Sequence, residues 1–183
     1  MQALHDRAPG EAAGLLLMLP PAKARAQDML DQGFVAAVRA HALPVDVAII
    51  DAQADDYLEG AIGERLAETL SALQPARTWL MGISLGAYGC LELARRTRVE
   101  AALLLAPFLG SRDPQPGQLE EQARLCPLHL GFGEDDRYAQ PSRRLARLLP
   151  AERVVVLPGG HDWATWLRLW RELLCRTQFV AAA

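Results

Sequence analysis

Short apolar runs that alternate with longer segments of helical period constrain the fold of this chain most strongly. The longer segments carry apolar residues three or four positions apart, as in the series Leu58, Ile62, Leu66 and Leu70, which is typical of a helix with one buried face. The short runs are nearly continuous in apolar residues and are bounded by Pro and Gly, which is typical of parallel strands buried on both faces. They cover residues 14–19, 45–51, 78–83, 101–106, 127–132 and 153–157.

The repeated order of strand and helix predicts an α/β fold. The expected architecture is a three-layer sandwich, with a mostly parallel sheet of about six strands flanked by helices. The chain of 183 residues, 51% of them hydrophobic, is expected to form one domain with a frayed tail at 180–183. The remaining helical stripes are Leu30, Phe34 and Val38; Leu145, Leu148 and Leu149; and Trp163, Trp166, Leu167, Trp170, Leu173 and Leu174.

Charge and cysteine content argue against several classes of function. The formal net charge is only −3, so nothing electrostatic favours nucleic acid or an anionic membrane as a partner. The strongly apolar stretch 14–19 is far shorter than the roughly 20 residues of a membrane span, and acidic residues before it make it a poor signal peptide. Three widely spaced cysteines form no zinc pattern and predict reduced thiols in a cytoplasmic protein. No metal or cofactor is expected, and the oligomeric state stays open.

Candidate functional residues follow the predicted strands at the point where each strand ends. In an open parallel sheet, ligands bind outside the carboxyl ends of the strands. Ser84 follows the third apolar run, Asp135 and Asp136 follow the fifth, and His161 follows the sixth. The sequence therefore predicts a serine, a carboxylate and a histidine at one edge of the sheet.

The segment Gly82-Ile83-Ser84-Leu85-Gly86 has the pattern of a nucleophile elbow. A serine in a sharp strand-to-helix turn adopts a strained backbone conformation, and the residues two positions before and after it must be tiny. The alternative is a serine that merely caps the following helix. A dinucleotide-binding loop would require glycine at positions 84 and 87, where Ser84 and Ala87 stand.

A serine nucleophile needs a base with a pKa near 7, and histidine is the side chain that provides one. His161 is the candidate because it follows a strand, in a loop whose two glycines give the backbone conformational freedom. The alternatives His5, His41 and His129 each have a simpler explanation as solvated or packed side chains. His161 could also be an ordinary loop histidine next to a helix cap.

A carboxylate must orient the imidazole and stabilise its protonated form. Asp136 is the preferred candidate, and Asp135 stays open as the alternative, since both follow the strand before His161. Asp162 adjoins His161 and has poor geometry for pairing with that ring. We expect Asp162 to cap the helix that begins at Trp163 instead.

The motifs at 82–86, 133–136 and 159–163, in the order Ser-Asp-His, resemble those of the α/β-hydrolase superfamily. The resemblance extends from Leu15 to about Leu174 and is greatest to small, uncapped bacterial carboxylesterase- or thioesterase-like members. Family spacing favours Asp136 over Asp135 as the acid. The resemblance implies a serine hydrolase that cleaves a small-molecule ester or thioester through an acyl-enzyme on Ser84.

The family's oxyanion hole uses two backbone N–H groups. By analogy Leu85 supplies one of them. The second comes from the loop after Leu19, which reads Pro20-Pro21-Ala22, and proline has no N–H. Ala22 is therefore the expected second donor.

Two departures from the family pattern are expected. The family's first two strands have no counterpart among the apolar runs, and the segment 107–126 is too short for a large lid, so the site should be open. The aromatic and apolar candidates for an acyl pocket are Phe108, Tyr138 and Trp163, together with Leu85, Tyr57 and Trp166, although Trp166 is expected mainly in the core. The small arginine runs are expected to be solvated. The alternative functions are an acyltransferase that uses the same site and a binding protein without turnover.

Overall fold

The computed structural model describes residues 1–176, so the tail expected at 180–183 lies outside the described residues. These residues form one seven-stranded sheet with the order β1-β3-β2-β4-β5-β6-β7. Strands β2 to β7 pair in parallel, whereas β1 is antiparallel to β3. The strands are β1 Gln2–Asp6, β2 Leu15–Leu19, β3 Asp46–Asp51, β4 Thr78–Ile83, β5 Ala101–Leu105, β6 Leu128–Gly133 and β7 Val154–Leu157. The mostly parallel sheet confirms the predicted fold class.

Helices cover both faces of the sheet and complete the three layers. They are α1 Ala26–Asp31, α2 Phe34–Ala40, α3 Ala54–Leu58, α4 Ile62–Leu73, α5 Leu85–Ala94, α6 Pro116–Leu125, α7 Gln140–Ala146 and α8 Trp163–Arg176, with a 3₁₀ turn at Ala151–Arg153. None of the helices within residues 1–176 combines the length and the apolarity that crossing a bilayer requires.

The buried core divides into two clusters, one on each face of the sheet. Leu16 and Met18 of β2 contribute to the cluster under α1, α2 and α8, whereas Leu15, Leu17 and Leu19 contribute to the cluster under α4 to α7. Successive side chains of a strand point to opposite faces. A strand that is apolar at every position therefore fits a sheet covered on both faces.

The structure has one strand more than the six that the sequence predicts, the antiparallel edge strand β1, so the expectation that both of the family's first strands are absent is wrong for one of them. Gln2 pairs with Asp51 and Asp6 with Val47 in the antiparallel ladder. The Arg39 side chain donates a hydrogen bond from Nε to Asp6 Oδ1 at 2.6 Å, which ties this edge to α2. An antiparallel edge strand is half exposed and needs no continuous apolar run, so the pattern that reveals buried strands does not reveal it.

Two of the predicted helical stripes are interrupted in the structure. The stripe through Leu30 is divided between α1 and α2 at Gly33, which has a φ of 86°. The stripe that begins at Leu58 breaks at Gly60, with a φ of 71°, and Leu58 itself is 83% exposed. In both places glycine adopts a left-handed conformation that ends a helix.

Candidate active site

Ser84 lies in a sharp turn between β4 and α5. Its φ of 53° and ψ of −112° fall in a region that non-glycine residues rarely occupy. Two hydrogen bonds fix the turn: the Ser84 N–H donates to the Leu105 carbonyl at 2.8 Å, and the Phe108 N–H donates to the Ser84 carbonyl at 2.9 Å. The conformation is therefore held from both sides by the end of β5 and the loop after it.

The two glycines of the motif lie where no larger residue fits. A Cβ on Gly82 would approach the Ala87 nitrogen to 2.6 Å, and a Cβ on Gly86 would collide with the carbonyl oxygens of Leu19 and Pro20. Real Cβ atoms essentially never come this close to backbone atoms. The steric argument for glycine at both positions of the elbow thus has a specific basis in this chain.

His161 lies between Ser84 and Asp136 in a continuous chain of polar contacts. Its Nε2 is 3.0 Å from Ser84 Oγ, and its Nδ1 is 2.7 Å from Asp136 Oδ2. Asp136 is 6% exposed, and its Oδ1 accepts a hydrogen bond from the Tyr138 N–H at 2.7 Å. A carboxylate so placed favours the tautomer with hydrogen on Nδ1, which leaves Nε2 free to accept the Ser84 proton.

Aromatic rings hold the imidazole from two sides. The His161 ring makes edge contacts with Tyr138, at a centroid distance of 5.1 Å, and with Trp166, at 4.9 Å. The preceding Gly159 has a φ of 137°, and its carbonyl oxygen leaves no space for a Cβ on Gly133. The loops after β6 and β7 therefore pack closely enough to bring Asp136 and His161 together.

The alternative carboxylates lie elsewhere. Asp135 is exposed, and its backbone N–H donates to the Gly159 carbonyl at 3.0 Å. Asp162 caps α8, as the sequence predicts: its Oδ1 accepts a hydrogen bond from the Thr165 N–H at 2.9 Å. That hydrogen bond holds the pKa of Asp162 below its usual value.

The other histidines lie away from Ser84. His5 is exposed on β1, and His41 has its Nδ1 2.8 Å from the Ala37 carbonyl oxygen. His129 lies within β6, where burial and the nearby charge of Arg153 lower its pKa.

Ser84 and His161 open onto a cleft of about 1140 Å³. Of the residues predicted for substrate binding or the oxyanion hole, Ala22, Leu85, Phe108, Tyr138 and Trp163 line this cleft. Trp166 also lines it, although only 6% exposed and part of the core. Tyr57 is the exception, since it packs into the core cluster under α4 and α5, where burial raises its pKa.

Leu85 and Ala22, the two residues expected to supply backbone N–H donors, both line the cleft. Leu85 is the first residue of α5, and a first helical N–H has no acceptor within its own helix. Ala22 is exposed in the loop after β2. Within residues 1–176, neither N–H donates to a protein acceptor. Both are available to an oxygen atom of a bound molecule.

Sequence reasoning missed three cationic residues of the cleft: Lys23, Arg112 and Arg137. It singled out only runs of arginines on helices and expected them to be solvated. The available signal was position, because Lys23 follows Ala22, and Arg137 separates Asp136 from Tyr138.

No family model matches the sequence, and no curated protein matches it significantly. Solved structures do resemble it. A predicted CIB-like hydrolase from Thermoplasma acidophilum aligns with a TM-score of 0.72 and 16% identity over 94% of this chain and 91% of that one. The substrate-bound fluorophosphonate-binding serine hydrolase F of Staphylococcus aureus aligns with a TM-score of 0.65 and 13% identity over 95% and 96%.

Alpha/beta hydrolase domain-containing protein 10 from mouse is also similar, with a TM-score of 0.64 and 18% identity over 94% of this chain and 91% of that one. Each alignment covers nearly the whole of both chains, so the likeness concerns the complete sheet and its helices. Together with the strand order and the turn at Ser84, these alignments show that the chain has the α/β-hydrolase fold.

Proposed function

We propose that this protein is a serine hydrolase that cleaves a carboxylic ester or thioester of a small molecule through an acyl-enzyme on Ser84. One observation carries the proposal: a serine hydroxyl, an imidazole and a buried carboxylate stand in hydrogen-bond contact, with distances of 3.0 Å and 2.7 Å on the two sides of His161. The serine hydrolase among the similar structures supports the same chemistry.

In the first half of the reaction, Ser84 Oγ attacks the substrate carbonyl carbon while its proton passes to His161 Nε2. The carbonyl π electrons move to oxygen and form a tetrahedral oxyanion. When the intermediate collapses, the bond to the leaving oxygen or sulfur breaks, and His161 returns the proton to that atom. The alcohol or thiol departs, and the acyl group remains on Ser84.

In the second half, water takes the place of the serine hydroxyl. His161 Nε2 accepts one proton of the water as its oxygen attacks the acyl carbon. Collapse of this second intermediate breaks the bond to Ser84 Oγ, which regains its proton from His161. The carboxylic acid is released, and the site returns to its starting state.

Asp136 and the backbone donors act by electrostatics. Asp136 keeps hydrogen on Nδ1 of His161 and stabilises the imidazolium that forms in each half-reaction. The N–H groups of Leu85 and Ala22 are the proposed donors to the oxyanion. Removing one donor of this kind typically costs about 10²–10³ in kcat.

The proposal is tested by hydrolysis of a panel of 4-nitrophenyl esters and acyl thioesters by the wild type and Ser84→Ala. We expect turnover by the wild type and a loss on the order of 10⁶ in kcat for the variant. Turnover that survives in Ser84→Ala, or a wild type that cleaves no member of the panel, would overturn the proposal. Alcohols and amines added as acceptors separate hydrolysis, which yields only the acid, from acyl transfer, which yields a new ester or amide.

A further inference from the structure

Three exposed cationic residues from three different loops line the cleft. Lys23 follows β2, Arg112 follows β5 and Arg137 follows β6, and all three line the same cavity as Ser84. Among the described residues, Asp28 supplies the one carboxylate of the lining. The chain as a whole carries a net charge of −3, so this local excess of positive charge is opposite in sign to the net charge of the protein.

The cations of the cleft are not neutralised by the protein. Within residues 1–176, none of Lys23, Arg112 and Arg137 takes part in an ion pair. Arginines elsewhere do, such as Arg144 with Asp113 at 2.6 Å.

Asp28 does not form an ion pair with these three residues either. Its Oδ2 accepts a hydrogen bond from the Arg25 N–H at 2.7 Å and thereby caps α1. Within the described part of the chain, the three cations are therefore solvated and have no carboxylate as an ion-pair partner.

An aromatic contact holds Arg137 close to the proposed base. Its guanidinium carbon lies 4.7 Å from the centroid of the Tyr138 ring, and the Tyr138 ring in turn contacts the ring of His161. A cation–π contact orients a guanidinium and leaves its N–H donors free for an anion. The positive charge is thus separated from the proposed base by a single aromatic ring.

The cleft also has a substantial apolar lining. Ala106, Pro107, Phe108 and Leu109 follow β5, and Trp163 and Trp166 belong to α8. A substrate that matches this lining has both an apolar portion and a negative charge.

We propose that the substrate of this site carries an anionic group, a carboxylate or a phosphate, in addition to the ester or thioester bond that is cleaved. The inference rests on the proposed function and specifies its substrate class. Both groups present several acceptor oxygens to Arg and Lys, and a planar guanidinium binds either in a bidentate manner. Lys23, Arg112 and Arg137 are the residues assigned to that anion.

The test compares esters that share a reacting bond and differ in charge. In two aryl acetates, 3-acetoxybenzoate and 3-acetoxyphenyl phosphate, the leaving group carries the negative charge, and their comparison distinguishes carboxylate from phosphate. The neutral 3-acetoxybenzamide is the uncharged partner of both. In the 4-nitrophenyl monoester of adipic acid, the acyl group carries the negative charge, and its methyl ester is the neutral partner. We expect kcat/KM for at least one anionic ester to exceed that of its neutral partner about tenfold at low ionic strength, with the preference declining as salt is added.

Substitution assigns the preference to the cleft. Arg112→Gln and Arg137→Gln are each expected to lower the ratio of anionic to neutral kcat/KM by up to about fivefold, as for an exposed ion pair. Arg98→Gln is the matched control, because Arg98 is exposed between α5 and β5 and does not line the cleft. Its ratio should equal that of the wild type.

Two outcomes overturn the inference, and they can be told apart. If the neutral esters are cleaved at least as well as the anionic ones in every pair, or if both arginine variants keep the wild-type ratio, the anionic substrate is wrong while the serine hydrolase remains. If no ester is cleaved, the proposed function itself fails, whether or not a fluorophosphonate labels Ser84, and the inference falls with it.

Discussion

At the scale of single residues, Ser84 occupies a backbone conformation that costs a non-glycine residue about 1–3 kcal/mol. The hydrogen bonds that join Ser84 to Leu105 and Phe108 and the bare backbones of Gly82 and Gly86 make this conformation possible. The same turn places the hydroxyl within 3.0 Å of His161 Nε2. Local strain and the proposed chemistry therefore depend on the same few atoms.

Replacing Gly86 by alanine tests this dependence. In Gly86→Ala the new Cβ meets the Leu19 and Pro20 carbonyl oxygens, and we expect a loss of about 1–3 kcal/mol in the free energy of unfolding, measured by urea denaturation. Reaction of Ser84 with a fluorophosphonate should slow as well, because the backbone must shift to relieve the contact.

Gly117→Ala is the matched control. Gly117 lies in α6, and a Cβ at this position would have no atom within 4 Å. Alanine there should therefore leave stability unchanged or raise it by up to about 1 kcal/mol. Equal stability of Gly86→Ala and the wild type would contradict the steric account.

The two neighbouring aspartates provide a second test at this scale. Asp136→Asn retains the size of the side chain but favours the wrong tautomer of His161, so we expect kcat to fall on the order of 10⁴. Asp135→Asn is the control, since Asp135 is exposed, and its kcat should stay close to that of the wild type. Steady-state kinetics on one activated ester are sufficient. A large loss in Asp135→Asn with little in Asp136→Asn would show that Asp135 is the acid instead.

At the scale of elements, α8 links the core to the proposed base. The helix begins two residues after His161, and Leu169, Trp170 and Leu173 bury its apolar face in the core. Trp166, one turn into the helix, packs against the imidazole. The start of α8, set by the Asp162 cap, thus influences the position of His161.

Removal of that cap gives a prediction for stability and its pH dependence. Asp162→Ala should lower the free energy of unfolding by about 1 kcal/mol at neutral pH, measured by urea denaturation. The pKa of Asp162 is lowered in the folded protein, chiefly by the hydrogen bond from the Thr165 N–H. The contribution of this carboxylate is therefore complete above its unfolded pKa of about 3.9 and is lost as pH falls through the lower folded value.

The difference between wild type and Asp162→Ala should accordingly narrow in acid below about pH 4. A difference that stays constant through this range, or grows, would show that the charged form of Asp162 does not stabilise α8. Asp55→Ala in the first turn of α3 removes a carboxylate with no assigned capping bond and provides a comparison.

Elements differ in how far their sequence reveals them. All six apolar runs became strands whose bounds differ by one residue at most, because a strand buried on both faces must be apolar throughout. The edge strand β1 was not predicted because it contains Gln2, His5 and Asp6 and therefore has no continuous apolar run. Gly33 and Gly60 mark the places where the two predicted helices are interrupted. The spacing of apolar residues alone does not reveal these interruptions.

At the scale of the whole molecule, the parallel sheet collects the carboxyl ends of β4, β6 and β7 at one edge and with them Ser84, Asp136 and His161. This convergence could be predicted from chain order alone, since it follows from the direction of the strands. The cations of the cleft could not be predicted in this way. Lys23, Arg112 and Arg137 lie on loops, whose side chains are placed by packing that no sequence period encodes.

The central claim is that Ser84 is an activated nucleophile, and the most direct measurement is intact-mass analysis after incubation with a fluorophosphonate. Attack by Ser84 Oγ on phosphorus expels fluoride, so each labelled molecule gains the mass of the probe less that of hydrogen fluoride. The account predicts one label per wild-type chain and none on Ser84→Ala. Labelling of both proteins to the same extent, or of neither, would contradict it.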